Sequence, residues 1–323
     1  MSIETSVLVP LDAEQTFALL TEPERLRRWQ GITARVDGRV GGAYRWTVTP
    51  GHSASGTFTE FEPHRRLAFT WGWEGPDGLP PDPSTVAVTL EPAEGGTTVR
   101  LVHEGLNDDE GASHLEGWVH YLDRLVVAAD AGDAGPDPWM AEGVTLDQLS
   151  AAEASLALCQ LMLRDLPPDA ATRPTPCEKF DLADLVGHLT GSIVSLGGAA
   201  GATITPPDGA APEVVIADAG QAALEAWRRR GLEGTVTMSF GEMPAEMAAS
   251  ILTMEFLVHA WDFARATGRT VPDDEALGDY ALDLARGLIA PAMRDGDNFA
   301  AEVAVGPDVD AISRLAAFTG RAV

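Results

Sequence analysis

Alternation of apolar and polar residues dominates roughly the first third of the chain. Such alternation is typical of half-buried β-strands, and turn signals such as Gly41-Gly42 and Pro50-Gly51 separate the alternating stretches. Because successive stretches begin about ten residues apart, we expect an antiparallel meander. The predicted strands are Ile3–Val9, Ala34–Val40, Ala43–Val48, Gly56–Phe61, Arg66–Trp73, Thr85–Pro92 and Thr97–Glu104.

Helical periodicity appears at two places in this part of the chain. Asp12 is a predicted N-cap, and Pro23 divides the segment after it into two short helices. A longer helix closes the region over residues 113–130. Its predicted apolar face consists of Leu115, Trp118, Leu122, Leu125 and Val126.

The rest of the chain has helical patterns. Helices of this length joined by loops predict an all-α four-helix bundle with one accessory segment. Asp181 is a predicted N-cap and Gly268 a predicted C-cap. The predicted helices cover residues 144–165, 182–198, 217–230, 245–267 and 274–289. Residues 135–143, rich in Gly, Pro and acidic side chains, predict a linker between domains 1–134 and 144–323.

Composition restricts the possible partners and the compartment. The 323 residues include 22 basic and 49 acidic side chains, a net charge of −27, which argues against nucleic acid and anionic membranes as partners. Lysine occurs once, at Lys179, so arginine supplies the other cations, as in proteins of GC-rich actinobacterial type. Two cysteines provide no disulfide scaffold, and the start lacks a signal-peptide pattern. We expect a soluble, cytoplasmic protein and leave its oligomeric state open.

Three residues of the second domain carry the candidate chemistry. His188 and His259 are its only histidines, and both lie in otherwise apolar helices. Glu255 precedes His259 by four residues, so the two side chains project from one helix face. Two imidazoles and a carboxylate from two facing helices would form a three-ligand site for a divalent metal, with zinc as the expected ion. Asp262 would either accept a hydrogen bond from His259 or pair with Arg265. The alternative is that each residue is an ordinary part of the core.

The first domain resembles a known family through its motifs. These are VGGAYRW at Val40–Trp46, GTFTEFEPHRRLAFTWGW at Gly56–Trp73 and GWVHYLDRL at Gly117–Leu125. They are similar to homologues of the heat shock protein 90 ATPase activator, which belong to the START-like (SRPBCC) group. The resemblance implies an α+β helix-grip fold, an antiparallel sheet around a long C-terminal helix, with a ligand cavity between them.

The second domain resembles the DinB-like, mycothiol-dependent maleylpyruvate isomerase superfamily. The similarity lies in TPCEKFDLADLVGHLTG, in FGEMPAEMAASILTMEFLVHAWDFARATGR and in the terminal RLAAFTGR. It implies that His188, Glu255 and His259 are the metal ligands, and that mycothiol is a cosubstrate. A metal-bound thiol is deprotonated near neutral pH, which creates a nucleophile.

Two further sets of residues are candidates for ligand contacts. Five tryptophans of the first domain either line its cavity, where they would bind an apolar small molecule, or pack in its core: Trp29, Trp46, Trp71, Trp73 and Trp118. Arg228, Arg229 and Arg230 form the only triple-basic run. They either recognise a carboxylate on the substrate or the thiol, or form a solvated helix end.

Three functions are compatible with these features. The favoured one is a metal- and thiol-dependent isomerase or S-transferase that acts on a small organic, for example aromatic, molecule captured with the help of the START-like domain. The second is a non-catalytic small-molecule-binding or stress-response protein with a structural or vestigial metal site. In the third, the START-like domain is itself a cyclase or hydrolase. The sequence identifies neither a general base nor the substrate.

Overall fold

The computed structural model of the protein describes residues 1–75, 84–141, 144–167, 169–177, 179–239, 241–294, 299–306 and 308–323. The chain forms two compact units, Met1–Asp137 and Pro138–Val323. The first unit continues to Asp137 because the carboxylate of this residue is buried beside His120 Nε2 (2.9 Å) and Arg124 Nε (3.6 Å). Residues 142–143 of the predicted linker lie outside the described residues.

The first unit is built on a seven-stranded antiparallel sheet with the order β1-β7-β6-β5-β4-β3-β2. The strands are β1 (Ser2–Val9), β2 (Thr33–Val36), β3 (Ala43–Thr49), β4 (His52–Glu62), β5 (Arg66–Trp73), β6 (Ser84–Ala93) and β7 (Gly96–Glu104). The predicted meander is therefore confirmed. The prediction for β2 was too long, because the strand ends at Val36 and the chain then turns at Arg39, whose carbonyl accepts from the N–H of Gly42.

Three helices accompany the sheet: α1 (Ala13–Thr21), α2 (Pro23–Leu26) and α3 (Asp108–Ala131). The side chain of Asp12 caps α1, and Pro23 opens α2, as predicted. Helix α3 begins five residues before the predicted start, at the N-cap Asn107, which forms a capping box with Glu110. Leu115 was wrongly placed on the buried face, since it lies at one edge of the buried stripe and is exposed.

The second unit is mainly helical. It contains α4 (Gln148–Leu163), α5 (Leu182–Ala199), α6 (Pro212–Arg230), α7 (Ala245–Thr267), α8 (Glu275–Leu288) and α9 (Ala311–Phe318). Helix α4 packs against α6 and α7, and α5 packs against the same two helices. Asp181 caps α5, and Gly268 ends α7 in the left-handed conformation, as predicted. Among the described helices, none has the length and apolarity needed to span a membrane.

Three features of the second unit differ from the prediction. Helix α6 starts five residues earlier than expected, with Pro212 in its first turn. A two-stranded hairpin, β8 (Thr235–Met238) with β9 (Gly241–Pro244), precedes α7 and was not predicted. Helix α9 was also missed, and it packs against α7 and α8.

Candidate metal centre

Helices α5 and α7 bring the three predicted ligands together. One ligand atom from each of His188, Glu255 and His259 lies within 4.8 Å of the other two. The rings of His188 and His259 are edge to face, with their centroids 5.4 Å apart. Two helices that pack on one another thus supply two imidazoles and a carboxylate, a donor set that divalent transition metals prefer.

The local sequence explains why α7 presents these groups. Helix α7 is buried over most of its length, so packing against its neighbours determines which of its side chains face α5. Glu255 and His259 lie one turn apart on that face, and His259 Nε2 is 3.6 Å from Glu255 Oε2. His188 is more exposed and stacks on Phe180, with ring centroids 5.2 Å apart. The cluster therefore has one exposed ligand, His188, one partly buried, Glu255, and one buried, His259.

Asp262 determines the orientation of His259. Its Oδ2 lies 2.9 Å from His259 Nδ1, so the Nδ1–H donates to this carboxylate and Nε2 is turned toward Glu255. Of the two roles predicted for Asp262, contact with His259 is the one observed. Arg265 instead lies over the ring of Trp261.

Arg321 is the cation that pairs with Asp262. Its Nη2 donates to Asp262 Oδ2 at 2.9 Å, and its Nε lies 3.2 Å from Asp262 Oδ1. The same Nη2 lies 3.1 Å from the sulfur of Cys177. Burial alone would raise the pKa of Asp262, but the bonds to His259 and Arg321 lower it to about 2. Asp262 is therefore a carboxylate at neutral pH.

The protonation of the remaining groups follows from their surroundings. Burial would lower the pKa of His259, yet the hydrogen bond with Asp262 and the nearby carboxylate of Glu255 raise it to about 9. The metal-free ring is therefore protonated at neutral pH, and a metal would take the place of its Nε2 proton. Burial also lowers the pKa of His188. Burial, followed by the charge of Asp262, raises the pKa of Cys177 to about 11, so this residue is a neutral thiol.

Glu255 provides the test of whether a metal fits here. Among the described residues, its buried Oε2 has no hydrogen-bond partner. Burial would raise the pKa of Glu255, but the two neighbouring histidines hold it below its usual value, so the group is an anion. The protonated His259 faces this oxygen at 3.6 Å, an ion pair too long for a hydrogen bond, and a divalent cation held by the oxygen and both imidazoles would satisfy it better. The residues present therefore fit a divalent metal.

The five candidate tryptophans of the first unit occupy a tightly packed core. Trp29, Trp46 and Trp118 line a cavity between the sheet and α3, with a volume of about 20 Å³, which is room for about one water molecule. Trp71 is buried and contacts Trp118, with ring centroids 4.9 Å apart, whereas Trp73 is partly exposed. These side chains pack against one another, and their contact with a ligand stays a prediction. A small-molecule ligand would need side chains to move.

Two histidines complete this aromatic core. Trp118 Nε1 donates to His103 Nδ1 (3.1 Å), and His103 Nε2 donates to Ser84 Oγ (3.0 Å). The indole N–H groups of Trp71 and Trp73 both donate to His114 Nε2, at 3.3 and 3.2 Å. His114 Nδ1 lies 2.7 Å from the carbonyl oxygen of Glu110. Both imidazoles are thus fully hydrogen-bonded in their neutral forms, and neither has a free lone pair for a metal.

The three arginines at the end of α6 do not converge on one point. Arg228 Nη2 lies 2.5 Å from Oε1 of the buried Glu153. Arg230 donates to the backbone carbonyls of Gly231, Glu233 and Thr235. Arg229 is mostly exposed, 3.9 Å from Glu225. These contacts favour the helix-end alternative, and recognition of a substrate carboxylate stays a prediction.

Sequence reasoning missed the contribution of two residues to the site. Arg321 lies in the terminal RLAAFTGR motif, 59 positions after Asp262, and no local pattern links the two. Phe180 precedes the N-cap of α5, where a hydrophobic residue is an ordinary feature, so its stacking on His188 has no sequence signal of its own.

The family-model match lies within the first unit of the chain, whereas the curated relatives also match part of the second. Residues 10–130 match the family model described as activator of Hsp90 ATPase homolog 1-like protein, or AHSA1. The chain is 32% identical over 183 residues to the uncharacterized protein Rv0738 of Mycobacterium tuberculosis strain H37Rv, covering 55% of this chain and 100% of that protein. The uncharacterized protein MT0763 of strain CDC 1551 matches to the same extent. The matched length exceeds the first unit, so it includes part of the second.

Solved structures align over less than half of this chain. An AHSA1-like protein from Rhizobium etli is 38% identical, with 46% of this chain and 91% of that chain covered and a TM-score of 0.36. The Aha1 dimer from Colwellia psychrerythraea is 20% identical, with 41% and 98% covered and a TM-score of 0.37. DynU16, a putative protein in the dynemicin biosynthetic locus, is 24% identical. The alignment covers 41% of this chain and about half (48%) of DynU16, with a TM-score of 0.38.

The family-model match and the seven-stranded sheet with its long closing helix identify the type of the first unit. The chain belongs to the family of the two mycobacterial proteins, and its first unit is an AHSA1-like domain of the START-like (SRPBCC) type.

Proposed function

We propose that this protein binds a divalent metal, zinc in the first instance, through His188, Glu255 and His259 and uses it in thiol-dependent chemistry. The observation that carries the proposal is the convergence of three ligand atoms within 4.8 Å around a buried carboxylate oxygen that lacks a hydrogen bond. In this proposal, α4 to α7 form a four-helix bundle of the DinB-like type.

The surroundings of the three ligands favour a catalytic rather than a purely structural metal. Structural zinc sites are closed by four protein ligands, whereas catalytic sites have three and keep a position open. Here His188 is exposed, so a metal held by these three residues would be within reach of a thiol from solvent. A divalent metal bound there lowers the pKa of a coordinating thiol and so supplies a thiolate nucleophile at neutral pH.

The chain's own residues then orient and protect the reacting groups. Asp262 holds the Nδ1 proton of His259, which keeps Nε2 available as a ligand atom. Arg321 keeps Asp262 ionised. Cys177 is a neutral thiol in this environment, so the nucleophile is a thiol from solution, with mycothiol as the proposed cosubstrate.

The proposed reaction is the isomerisation of an electrophilic double bond or the transfer of sulfur. In the first, the thiolate adds to the double bond, the resulting single bond rotates, and the thiolate leaves with the double bond restored. In the second, it displaces a leaving group from a small organic molecule. The AHSA1-like unit binds that molecule at its aromatic core, after side chains around the cavity have moved.

The histidines of the first unit do not favour that unit as the enzyme. Burial and the neighbouring His114 lower the pKa of His103 to about 3, so it stays neutral, and both of its nitrogens are already bonded. A general base needs a free lone pair within reach of its substrate. Neither His103 nor His114 offers one in this arrangement.

The test is the metal content and thermal stability of the full chain, purified without chelator, with and without mycothiol. We expect about one divalent ion per chain and a thiol-dependent rise in melting temperature. His188→Ala is expected to lose both effects. His52→Ala, the same change at an exposed histidine of the first unit, is expected to keep both.

Metal content, the response to mycothiol and turnover test the metal site, the cosubstrate and the enzymatic activity separately. A protein without stoichiometric metal rules out the metal site and the enzyme together. A metal-loaded protein that does not respond to mycothiol keeps the site and rules out that cosubstrate. Metal binding without turnover of any tested electrophile favours a non-catalytic binding protein.

A further inference from the structure

His259 is shared by two clusters of potential metal ligands. On its Nε2 side lie His188 and Glu255, and on its Nδ1 side lie Cys177 and Asp262. In each cluster, the three ligand atoms lie within 4.8 Å of one another. The second cluster has a sulfur, a nitrogen and a carboxylate oxygen, a set that suits thiophilic ions such as zinc or cobalt.

Arg321 distinguishes the two clusters. Its guanidinium lies 2.9 Å from Asp262 Oδ2 and 3.1 Å from Cys177 Sγ, so a positive charge already occupies the Nδ1 side. On the Nε2 side, the nearest cationic partner of Glu255 in any described ion pair is His259 itself, at 3.6 Å. The Nδ1-side cluster therefore contains a guanidinium with a permanent charge, whereas the cation that pairs with Glu255 on the Nε2 side is the shared imidazole of His259.

The chain places this guanidinium through a turn after its last helix. Gly320 adopts a left-handed backbone with φ of 96°, and a Cβ at this position would lie 2.6 Å from the Cβ of Ala300. The N–H of Arg321 then bonds back to the carbonyl of Ala316. The side chain of Arg321 is only 11% exposed, so packing and the bond to Asp262 hold it in place.

We propose that Arg321 acts as the built-in cation of the Nδ1-side cluster and thereby directs an incoming metal ion to the Nε2 side of His259. A guanidinium stays protonated under all ordinary conditions, and its charge at about 3 Å from the sulfur and the carboxylate repels a divalent ion. Its N–H groups also use the oxygen and sulfur lone pairs that the ion would need. The proposal rests on the metal site described under the proposed function.

This arrangement has a consequence for the chemistry of the site. A metal on the Nδ1 side would take the thiolate of Cys177 as a ligand and leave His188 without a role. A metal on the Nε2 side keeps its open position next to the exposed His188, where a thiol from solution can reach it. Arg321 is thus a specificity-determining residue that keeps the chain's own sulfur away from the metal.

Cobalt substitution tests the proposal, because Co²⁺ bound by a thiolate shows an intense near-ultraviolet charge-transfer band and Co²⁺ bound by nitrogen and oxygen does not. We expect the apo full chain and its Cys177→Ser variant to bind Co²⁺ with the same visible spectrum and no such band. In Arg321→Met we expect the band to appear and cobalt affinity on the Nε2 side to fall by about 10–100-fold, as for loss of an outer partner. Adding Cys177→Ser to Arg321→Met should abolish the band. Arg321→Lys, which keeps the charge, should show none.

Several results would overturn the proposal and leave the proposed function standing. One is an Arg321→Met protein that binds cobalt with the wild-type spectrum and affinity. A thiolate band in the wild type would also overturn it, as would loss of cobalt binding in Cys177→Ser. Both results contradict the proposal even if Arg321→Met does not fold. A wild type that binds no cobalt contradicts the proposed function, and if Arg321→Met also lacks the band, both inferences fail.

Discussion

The two units treat their buried histidines in opposite ways. In the AHSA1-like unit, both ring nitrogens of His103 and of His114 are hydrogen-bonded within the aromatic core. In the helical unit, Nδ1 of His259 bonds to Asp262, whereas Nε2 faces Glu255 Oε2 at 3.6 Å, and this buried oxygen has no hydrogen bond among the described residues. The same residue type is therefore a structural element in one unit and a candidate ligand in the other.

The difference shows which observation discriminates between a structural and a functional histidine. Burial does not, since His103 and His259 are both buried. The hydrogen bonds of the ring nitrogens and of the groups that face them do, because an anionic oxygen that is buried without a hydrogen bond beside an imidazole is a candidate ligand for a cation. Substitutions in the aromatic core should therefore change folding stability, whereas substitutions at the metal centre should change metal affinity.

The largest expected effect on folding comes from the aromatic core. Trp71 is buried against Trp118, and its indole N–H bonds to His114, so Trp71→Ala should cost about 3–5 kcal/mol of unfolding free energy. Urea denaturation of the full chain measures this cost, and its metal content should not change. The partly exposed Trp73→Ala is the matched control and should cost less. Similar stability of wild type and Trp71→Ala would show that these rings do not form a tightly packed core.

A smaller effect is expected at the end of α6. Arg228 pairs with the buried Glu153, so Arg228→Met should destabilise the chain by about 2–3 kcal/mol, less than for a fully enclosed pair because Arg228 is partly exposed. Arg229→Met, at an exposed neighbour, should change stability by less than about 0.5 kcal/mol. If Arg228→Met instead folds with wild-type stability but loses thiol or substrate binding, the arginine run recognises a carboxylate.

The buried, fully hydrogen-bonded His103 also predicts that the free energy of unfolding depends on pH. The pKa of His103 is about 3 in the folded chain and near 6.5 when unfolded, so the unfolded state binds more protons at acidic pH. Its contribution to stability is complete above pH 6.5 and is lost as the pH falls toward 3, at up to about 1.4 kcal/mol per pH unit. Urea unfolding between pH 7 and 4 should show a shallower decline for His103→Gln than for the wild type. An unchanged slope in that variant, with the exposed His52→Gln as the control, would contradict the assignment.

The smallest expected effect concerns the positioning of a ligand. Phe180 stacks on His188, and an aromatic pair contributes about 0.5–1.5 kcal/mol, which corresponds to a roughly 2–10-fold loss of metal affinity in Phe180→Leu. Phe180→Tyr, which keeps the ring, should bind metal as the wild type does. Equal affinities of the Leu and Tyr variants would mean that the stack does not orient His188.

Much of the fold could be predicted because local signals agreed with the tertiary structure. Alternation gave β5 its observed bounds of Arg66–Trp73. Asp12 and Asp181 cap the predicted helices, since their carboxylates accept from the first free N–H groups. Glu255 and His259 lie on one face because the helix period places residues four apart side by side.

The remaining features depend on contacts that local patterns do not encode. The strands of the β8–β9 hairpin are four residues long, and α9 has only eight, too few to give a clear period. The early start of α6 at Pro212 did have a signal, proline in a first helical turn. The bond between Arg321 and Asp262 spans 59 residues and follows from how α9 packs on α7. The cavity that Trp29, Trp46 and Trp118 line has a volume of only about 20 Å³, which no count of tryptophans could reveal.

The central claim is that Glu255 and the two histidines bind a metal, and zinc affinity tests it most directly. Competition of the apo full chain with a chromophoric chelator should give about one zinc ion per chain. Glu255→Gln keeps the shape of the side chain but removes its charge, and should weaken zinc binding by more than the roughly 10–100-fold seen when an outer partner is lost. A Glu255→Gln protein that binds zinc as tightly as the wild type, or a wild type that binds none, would contradict the account.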